Sequence, residues 1–597
     1  MRKCLLKADV LVCHNLIRFD KPVFEKLLGI KIKAKLVDSL AVSWYLDPMR
    51  QKHGLEVWGE EFGIPKPVIK DWHNLSSEEY LHRCEEDVKI NKRLWDTQWN
   101  RLLAIYKTEK EVWRFLEYLE FKMQCAYKQE RDRWKLDVKY TEASLVKLLE
   151  EQTKKLDALR YVMPKVPIYV KKTAPKRPAR KDGTPSKIGQ EWFDLLERQN
   201  LPKETEETEV LVGWEEPNPQ SPVQIKEWLF SLGWKPETVK HVKNKKTGES
   251  RDVPQINKEF GAGICDSIKK LYEKEPQLEL LDGLSILNHR IPMLSGFLDN
   301  TDNQGYIQAQ VRGLTNTLRF KHTTIVNLPK VGKPYGEEIR GSLIAPEGYE
   351  LCGADMSSLE DRLKQHFIFP LDPGYVQTML RDDFDPHLEL AMIANELTPE
   401  DKKLYQRVDK LLSNEATREQ VSPQEITEYK KIKSIRSIFK NGNYACQYGA
   451  YPPRLVITCG ISKEKAQELF DAYWKLNWAI KEVSARQVVK EVDGQKWLQN
   501  PVNKFWYSLR SENDRFSTLV QGTASYVFDV WLGFVLEGRD QLTAQFHDEI
   551  VLCVRKGYRE DITEYLEKTI QKTNDLLKLN RELGIGIQFG ARYSEIH

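Results

Sequence analysis

The sequence predicts a multidomain α+β protein, and three observations carry that expectation. The chain has 597 residues, far more than one hydrophobic core usually supports, so several domains are expected. Short apolar runs of strand type stand near both ends and in the middle, at Val10–Val12, Tyr349–Asp355 and Leu542–Cys553. Between them, from about Trp99 to Leu159, apolar residues recur at three- and four-residue spacing amid dense charge, the pattern of long amphipathic helices.

The elements follow in order. Val10-Leu11-Val12 reads as a strand and Pro22–Leu28 as a helix opening after Asp20, with a turn-rich stretch around Gly54 and Gly63 before the next helix. Trp113, Leu116, Leu119 and Phe121 mark the buried stripe of the long helices. Between Pro164 and Ile188 the periodicity gives way to Pro, Lys and Arg, with Lys171, Lys172, Lys176, Arg177, Arg180, Lys181 and Lys187 on what reads as an exposed basic loop. A solvated linker and a DNA- or partner-contacting segment both fit that composition. Tyr349–Asp355 then runs into a helix showing Leu359 and Leu363 on one face, and residues 425–449 read as one helix broken near Gly442. Leu542–Cys553 is hairpin-like, with His547-Asp548-Glu549 at its turn.

Composition narrows the class. A hydrophobic fraction of 41% and a charged fraction of 30% suit a soluble globular protein, and no stretch is read as a membrane span. The first fifteen residues lack the pattern of a cleaved leader, so a cytoplasmic protein is expected. Nine cysteines without one C-x-x-C pair argue against a disulfide framework and a structural zinc site. A net charge of +4 is small on this length, so any nucleic-acid affinity must come from local patches.

The chemistry-bearing residues are carboxylates and a cationic helix face. Asp355 closes an apolar strand and Asp548 stands at the turn between two apolar segments, so each is presented at the end of a buried element, as hard divalent cations require of a dicarboxylate cradle. Alone, an Asp at a strand end is ordinarily a turn or helix-capping residue. Arg436, Lys440, Tyr444 and Tyr448 follow at steps of four, which places them on one helix face. There Arg436 offers a fork and Lys440 a point charge to a triphosphate, and Tyr444 a plane near a base, although an ordinary amphipathic helix has the same spacing.

In sequence around these residues the chain resembles the family A, Pol I-like DNA polymerases. Asp355-Met-Ser-Ser-Leu-Glu360-Asp-Arg362 matches that family's D-x-S-x-(I/L)-E-x-R motif in every fixed position, Arg436 to Tyr448-Gly449 resembles its fingers helix, and Gln521-Gly-Thr-Ala524 with His547-Asp548-Glu549 resembles its last motif. Thr317-Leu-Arg319, Asn327-Leu-Pro329, Arg340 and Asp385-Pro-His387 are further matches. The stretch from Asn218-Pro-Gln-Ser221 to Gly233-Trp234 is similar to the phage-type branch.

The resemblance implies a right-hand fold: an exonuclease-like α/β domain of ribonuclease H type over 1–105, a thumb over 106–340 with a basic insertion near 165–190, a palm over 341–380 and 515–597, and fingers over 381–514. It implies two magnesium ions, with manganese able to substitute, on Asp355 and Asp548, and Lys440 in the catalytic set. It further implies nucleotide contacts from Arg436, Lys440, Tyr444, Glu360 and Tyr448, and DNA contacts from Arg319, Arg340, Gln521 and His547. Glu360 would exclude a 2′-hydroxyl, which favours DNA synthesis, and Tyr444 would tolerate dideoxynucleotides. The implied partners are primer-template DNA, dNTPs and a processivity factor at the thumb insertion, in a bacterial host cytoplasm if the chain is phage-encoded.

Departures from the family matter too. His14-Asn15-Leu-Ile-Arg-Phe19-Asp20 resembles the second motif of its 3′-to-5′ exonuclease and Cys84-Glu-Glu-Asp87 falls near the third, making Asp20 and Asp87 the metal-ligand candidates of a vestigial site. The D-x-E pair of the first motif has no room before Asp20, and Arg83 stands where a tyrosine is expected, so proofreading is expected to be weak or absent. A truncated start, a second polypeptide and a structural vestige all account for that gap. Ala445 replaces a usual glycine, Ser517 a usual asparagine, and no histidine lies between His387 and His547 where relatives have one on the phosphates. The rival readings are a catalytically silent DNA-binding paralogue, which a broken carboxylate pair would signal, and a 3′-to-5′ exonuclease.

Overall fold

The computed structural model describes residues 1–69, 71, 73–181, 183–243, 248–258, 263–413 and 415–596. The chain divides into two compact units, residues 1–144 with 293–597, and residues 145–292. The second unit lies inside the 106–340 segment assigned above to the thumb, while 106–144 and 293–340 belong to the first.

After a short helix, Arg2–Lys7, the first unit forms a two-stranded parallel sheet, β1 (Val10–Cys13) and β2 (Lys35–Asp38), in which Val10 faces Lys35 and Cys13 faces Asp38. The turn-rich stretch expected at Gly54–Gly63 is instead a helix, Leu55–Phe62, whose two glycines are its caps, Gly63 with φ +69°. Two long helices follow as the periodicity predicts. Helix α1 (Ser77–Tyr106) starts on a capping box between Ser76 and Glu79, and α2 (Glu109–Asp132) follows after Lys107 turns left-handed. Leu102 and Ile105 of α1 and Phe115, Leu116 and Leu119 of α2 share one core with Trp497, Phe505 and Tyr507.

The second unit contains most of α3 (Val138–Val162) and a core of Leu159, Ile225, Trp228, Leu229, Trp234 and Leu281. Its basic stretch corrects the sequence reading. Lys171 and Lys172 lie on strand β3 (Val166–Thr173), which pairs antiparallel with β4 (Glu207–Glu215), Lys171 bonding Glu207 at 2.7 Å, and Lys187 opens a helix. Among the described residues of this stretch, 174–181 and 183–186 belong to no helix or named strand. The partner strand comes some forty residues later, so the local run of Pro and Lys concealed the β-branched pattern of Ile168, Val170, Val210 and Val212.

Back in the first unit, a four-stranded antiparallel sheet has the order β6–β7–β5–β8, from β5 (Tyr349–Met356), β6 (Ala544–Phe546), β7 (Glu549–Arg555) and β8 (Ile585–Gly590). After β5 come α4 (Leu359–Ile368), α5 (Pro386–Ile393), α6 (Pro423–Gln447) and α7 (Arg515–Leu536). Helix α6 is unbroken at Gly442, contrary to expectation. The glycine serves a close approach, since a Cβ there would stand 2.5 Å from Leu469 Cδ1. Helix α7 also corrects the view that no stretch is apolar enough to span a membrane: within the 25-residue segment Glu512–Leu536 an 18-residue window reaches a mean hydropathy of 1.3. Two thirds of that window, 67%, is buried, because α7 packs its apolar residues into the core of the first unit.

Candidate active site

The site is built on the ends of the two central strands. Strand β5 buries Leu351, Cys352, Ala354 and Met356 and leaves Asp355 exposed, so packing on the apolar residues aims the carboxylate out of the sheet. Register places Asp355 opposite Glu549 of β7, and Met356 N donates to the carbonyl of Asp548 at 2.9 Å. His547, with φ +50°, turns β6 into β7 and sets Asp548 beside the end of β5. Asp355 and Asp548 therefore line one cleft of about 780 Å³. Burial raises the pKa of Asp548, against the opposing charges of Arg319 and His547, so a cation would relieve a poorly solvated carboxylate. Oxygen donors on rigid strand ends fit magnesium, which keeps several waters and needs few protein ligands. Among the described residues no group of three or more His, Cys, Asp and Glu gathers into a larger ligand set.

Beside the pair, Glu360 in the first turn of α4 accepts from Arg319 at 2.5 Å and from the Tyr448 hydroxyl at 3.1 Å. Tyr448, which caps the end of α6, also bonds Gln521 of α7. Four residues chosen from sequence thus form one network. Tyr593 donates to the buried Glu549 at 3.1 Å. Arg340 lines the cleft but is itself buried: its Nε donates to Pro329 O at 2.7 Å and its guanidinium lies 4.6 Å from the Tyr593 ring.

On α6, whose start is fixed by a Ser422–Glu425 capping box, Lys440 and Tyr444 are exposed, and Arg436 is paired with Asp385. His387 was missed as a site residue by the sequence reading. Its ring stands 5.8 Å from that of Tyr444. Burial, against the pull of Asp385, pushes its pKa down to about 4, helped by Arg436 and Lys440, so it is neutral at pH 7. A histidine therefore stands beside the cationic face although none occurs between 387 and 547; its place in Asp385-Pro-His387 was the available signal. Ser517 turns inward, its hydroxyl donating to Asp514 O at 3.0 Å.

A second cleft, of about 540 Å³, brings Asp20 and Asp87 into one lining with His14 and Trp95. Burial and then Asp38 raise the pKa of Asp20 to about 6. Asp87 is neutralised by Lys66 at 2.8 Å and Arg83 at 3.8 Å. Asp38, a third carboxylate that sequence did not single out, accepts from the backbone amides of Asn15, Ile17, Leu40 and Ala41.

No protein-family model matches the sequence. Over 292 residues, 46% of this chain, it is 23% identical to the thermostable DNA polymerase I of Thermus filiformis, covering 31% of that protein. Over 296 residues, again 46% of the chain, it is 23% identical to the DNA polymerase I of Pseudomonas aeruginosa, covering 29% of it. Each match spans less than a third of the relative's length. In fold the chain is similar to the Pol domain of Pol1 from M. smegmatis, solved in complex with DNA primer-template and dNTP. The TM-score is 0.62 at 15% identity, covering 97% of this chain and 86% of that one. The fold is therefore that of a Pol I polymerase domain.

Proposed function

We propose that this chain is a template-directed DNA polymerase that adds dNTPs to a primer 3′ end. The observation that carries the reading is the convergence of Asp355 and Asp548 at adjacent strand ends in one cleft, with Glu360, Arg319, Tyr448 and Gln521 joined beside them. The similarity to DNA polymerases I supports it.

Asp355 and Asp548 would hold two magnesium ions, with manganese able to substitute, which would activate the primer hydroxyl and neutralise the leaving pyrophosphate. The chain's own part is placement. Asp355 presents its oxygens from a central strand and Asp548 from the tight turn that closes onto it, so neither shifts independently of the sheet. Arg436, Lys440 and neutral His387 receive the triphosphate, and Lys440 belongs with the catalytic set because its charge would meet the pyrophosphate. Tyr444 offers its plane to the base. Glu360, held by two donors, would exclude a 2′-hydroxyl from the incoming sugar. Gln521, His547, Arg319 and Arg340 are the DNA-side residues, and duplex binding is backbone-directed and salt-sensitive.

In this reading the palm is 341–380 and 515–597, the fingers 381–514 and the thumb 106–340, of which 145–292 form a compact unit of their own. Proofreading is weak or absent, supported by Lys66 and Arg83 taking up Asp87. The phage-type origin, the bacterial cytoplasm and a processivity factor on the thumb insertion belong to the same proposal; the exposed Tyr169, Leu211 and Trp214 of the β3–β4 ribbon support the last. Primer extension on a 5′-labelled primer with magnesium and four dNTPs tests the reading, beside a lane without nucleotides. Products longer than the primer are expected. An unextended primer under conditions where the chain binds DNA would favour a silent DNA-binding protein, and shortening without nucleotides a 3′-to-5′ exonuclease.

A further inference from the structure

We propose that Asp385 is a positioning residue for the triphosphate, fixing the guanidinium of Arg436 before nucleotide arrives; the proposal rests on the polymerase reading. One carboxylate serves two helices. Its Oδ2 accepts from Arg436 Nε, on α6, at 2.7 Å, and Arg436 Nη2 lies 2.6 Å from the same oxygen as an ion pair. Its Oδ1 accepts from the amides of His387 and Leu388 at 2.9 and 3.1 Å, as the N-cap of α5. The helix that carries Arg436, Lys440 and Tyr444 is thereby tied to the one that carries His387.

The pair is partly withdrawn from water, its side chains 26% and 16% exposed, so it is worth more than an open surface pair. Tyr405 backs it, with its ring centroid 5.7 Å from the guanidinium carbon, and is itself stacked on Tyr429 at 5.1 Å and 17°. A guanidinium is a rigid plane with five N–H donors. Once Nε donates to Asp385 and Nη2 is held beside the same oxygen, the plane and direction of the remaining donors are set. A free arginine must give up its rotamer freedom when it captures a phosphate. Here the carboxylate has already fixed it, and the cap alone does not account for the geometry, since capping occupies only Oδ1.

Asn is as good an N-cap as Asp but carries no charge, so Asp385→Asn separates the two roles. Single-nucleotide incorporation is measured on primer-template with the full chain, for the wild type, Asp385→Asn, Arg436→Ala and the double variant. Asp385→Asn is expected to raise the KM for dNTP about tenfold, the scale of one charge-assisted hydrogen bond, with kcat and DNA affinity within about twofold. On the Arg436→Ala background it should add nothing. An unchanged or lowered KM, or a full additional effect on that background, overturns the proposal. Binding of inorganic tripolyphosphate by calorimetry reads the same face without chemistry. If the wild type incorporates nothing, the polymerase reading fails, while weaker tripolyphosphate binding by Asp385→Asn still supports the positioning role and equal binding overturns it.

Discussion

Replacing Lys122 by Met should loosen the joint between α2 and α7, the helix that carries Gln521. Lys122 Nζ lies 3.0 and 2.7 Å from the two oxygens of Asp529, and Tyr118 donates to the same carboxylate at 2.5 Å. The lysine and aspartate side chains are 3% and 2% exposed, so the substitution strands a charge in the core. Burial already pushes the Asp529 pKa up against the pull of Lys122, which shows how poorly the carboxylate is solvated there. Breaking such a buried pair from one side costs about 3–5 kcal/mol. Because the chain forms two compact units, global melting is an ambiguous readout, and amide exchange of α2 and α7 reads the joint directly. Exchange there should accelerate by about 10²–10⁴. The double variant Lys122→Met/Asp529→Leu should recover most of the loss, since an apolar pair of similar volume replaces the ions. An acceleration below about fivefold, close to 1 kcal/mol, or a double variant as loose as the single one, would refute the reasoning.

Three further expectations concern the two clefts. Glu360→Ala should admit ribonucleotides, because the carboxylate held by Arg319 and Tyr448 no longer fills the space beside the sugar; paired incorporation of a dNTP and its rNTP measures the change, and an unaltered ratio contradicts it. Tyr444→Phe should lower dideoxynucleotide incorporation relative to dNTP while leaving extension intact, as read by chain-termination ladders. Asp20, whose pKa is raised to about 6, binds a proton in the folded state before it does in the unfolded one, so its contribution to stability falls as pH rises from about 4 through about 6. Corrected amide exchange around β1 should slow between pH 7 and pH 5, and Asp20→Asn should remove that dependence; an unchanged slope in the variant would exclude Asp20 as its source.

What could be read from sequence was what is local in it. The strand before Asp355 and the hairpin around Asp548 are set by apolar residues within a few positions of each carboxylate. The steps of four from Arg436 to Tyr448 likewise define a face without knowledge of the fold. What escaped depends on partners far along the chain. The β3–β4 ribbon pairs Lys171 with Glu209 in register, a match invisible in a run of Pro and Lys. Gly442 reads as a helix breaker until Leu469 is seen against it. His387 gains its meaning from Tyr444, and Arg436 its orientation from Asp385, 51 residues away. Arg340 reads as a DNA contact, and what sequence does not show is that the carbonyls of 328 and 329 hold its guanidinium.

The central claim is that Asp355 and Asp548 act as one pair at the ends of β5 and β7. Primer extension and primer-template binding are measured together on the wild type, Asp355→Ala and Asp548→Ala. The wild type is expected to extend the primer, and each variant to lose extension while binding DNA within about twofold, since phosphate contacts rather than the carboxylates supply affinity. Extension at near wild-type rate by either variant, with binding intact, would contradict the account.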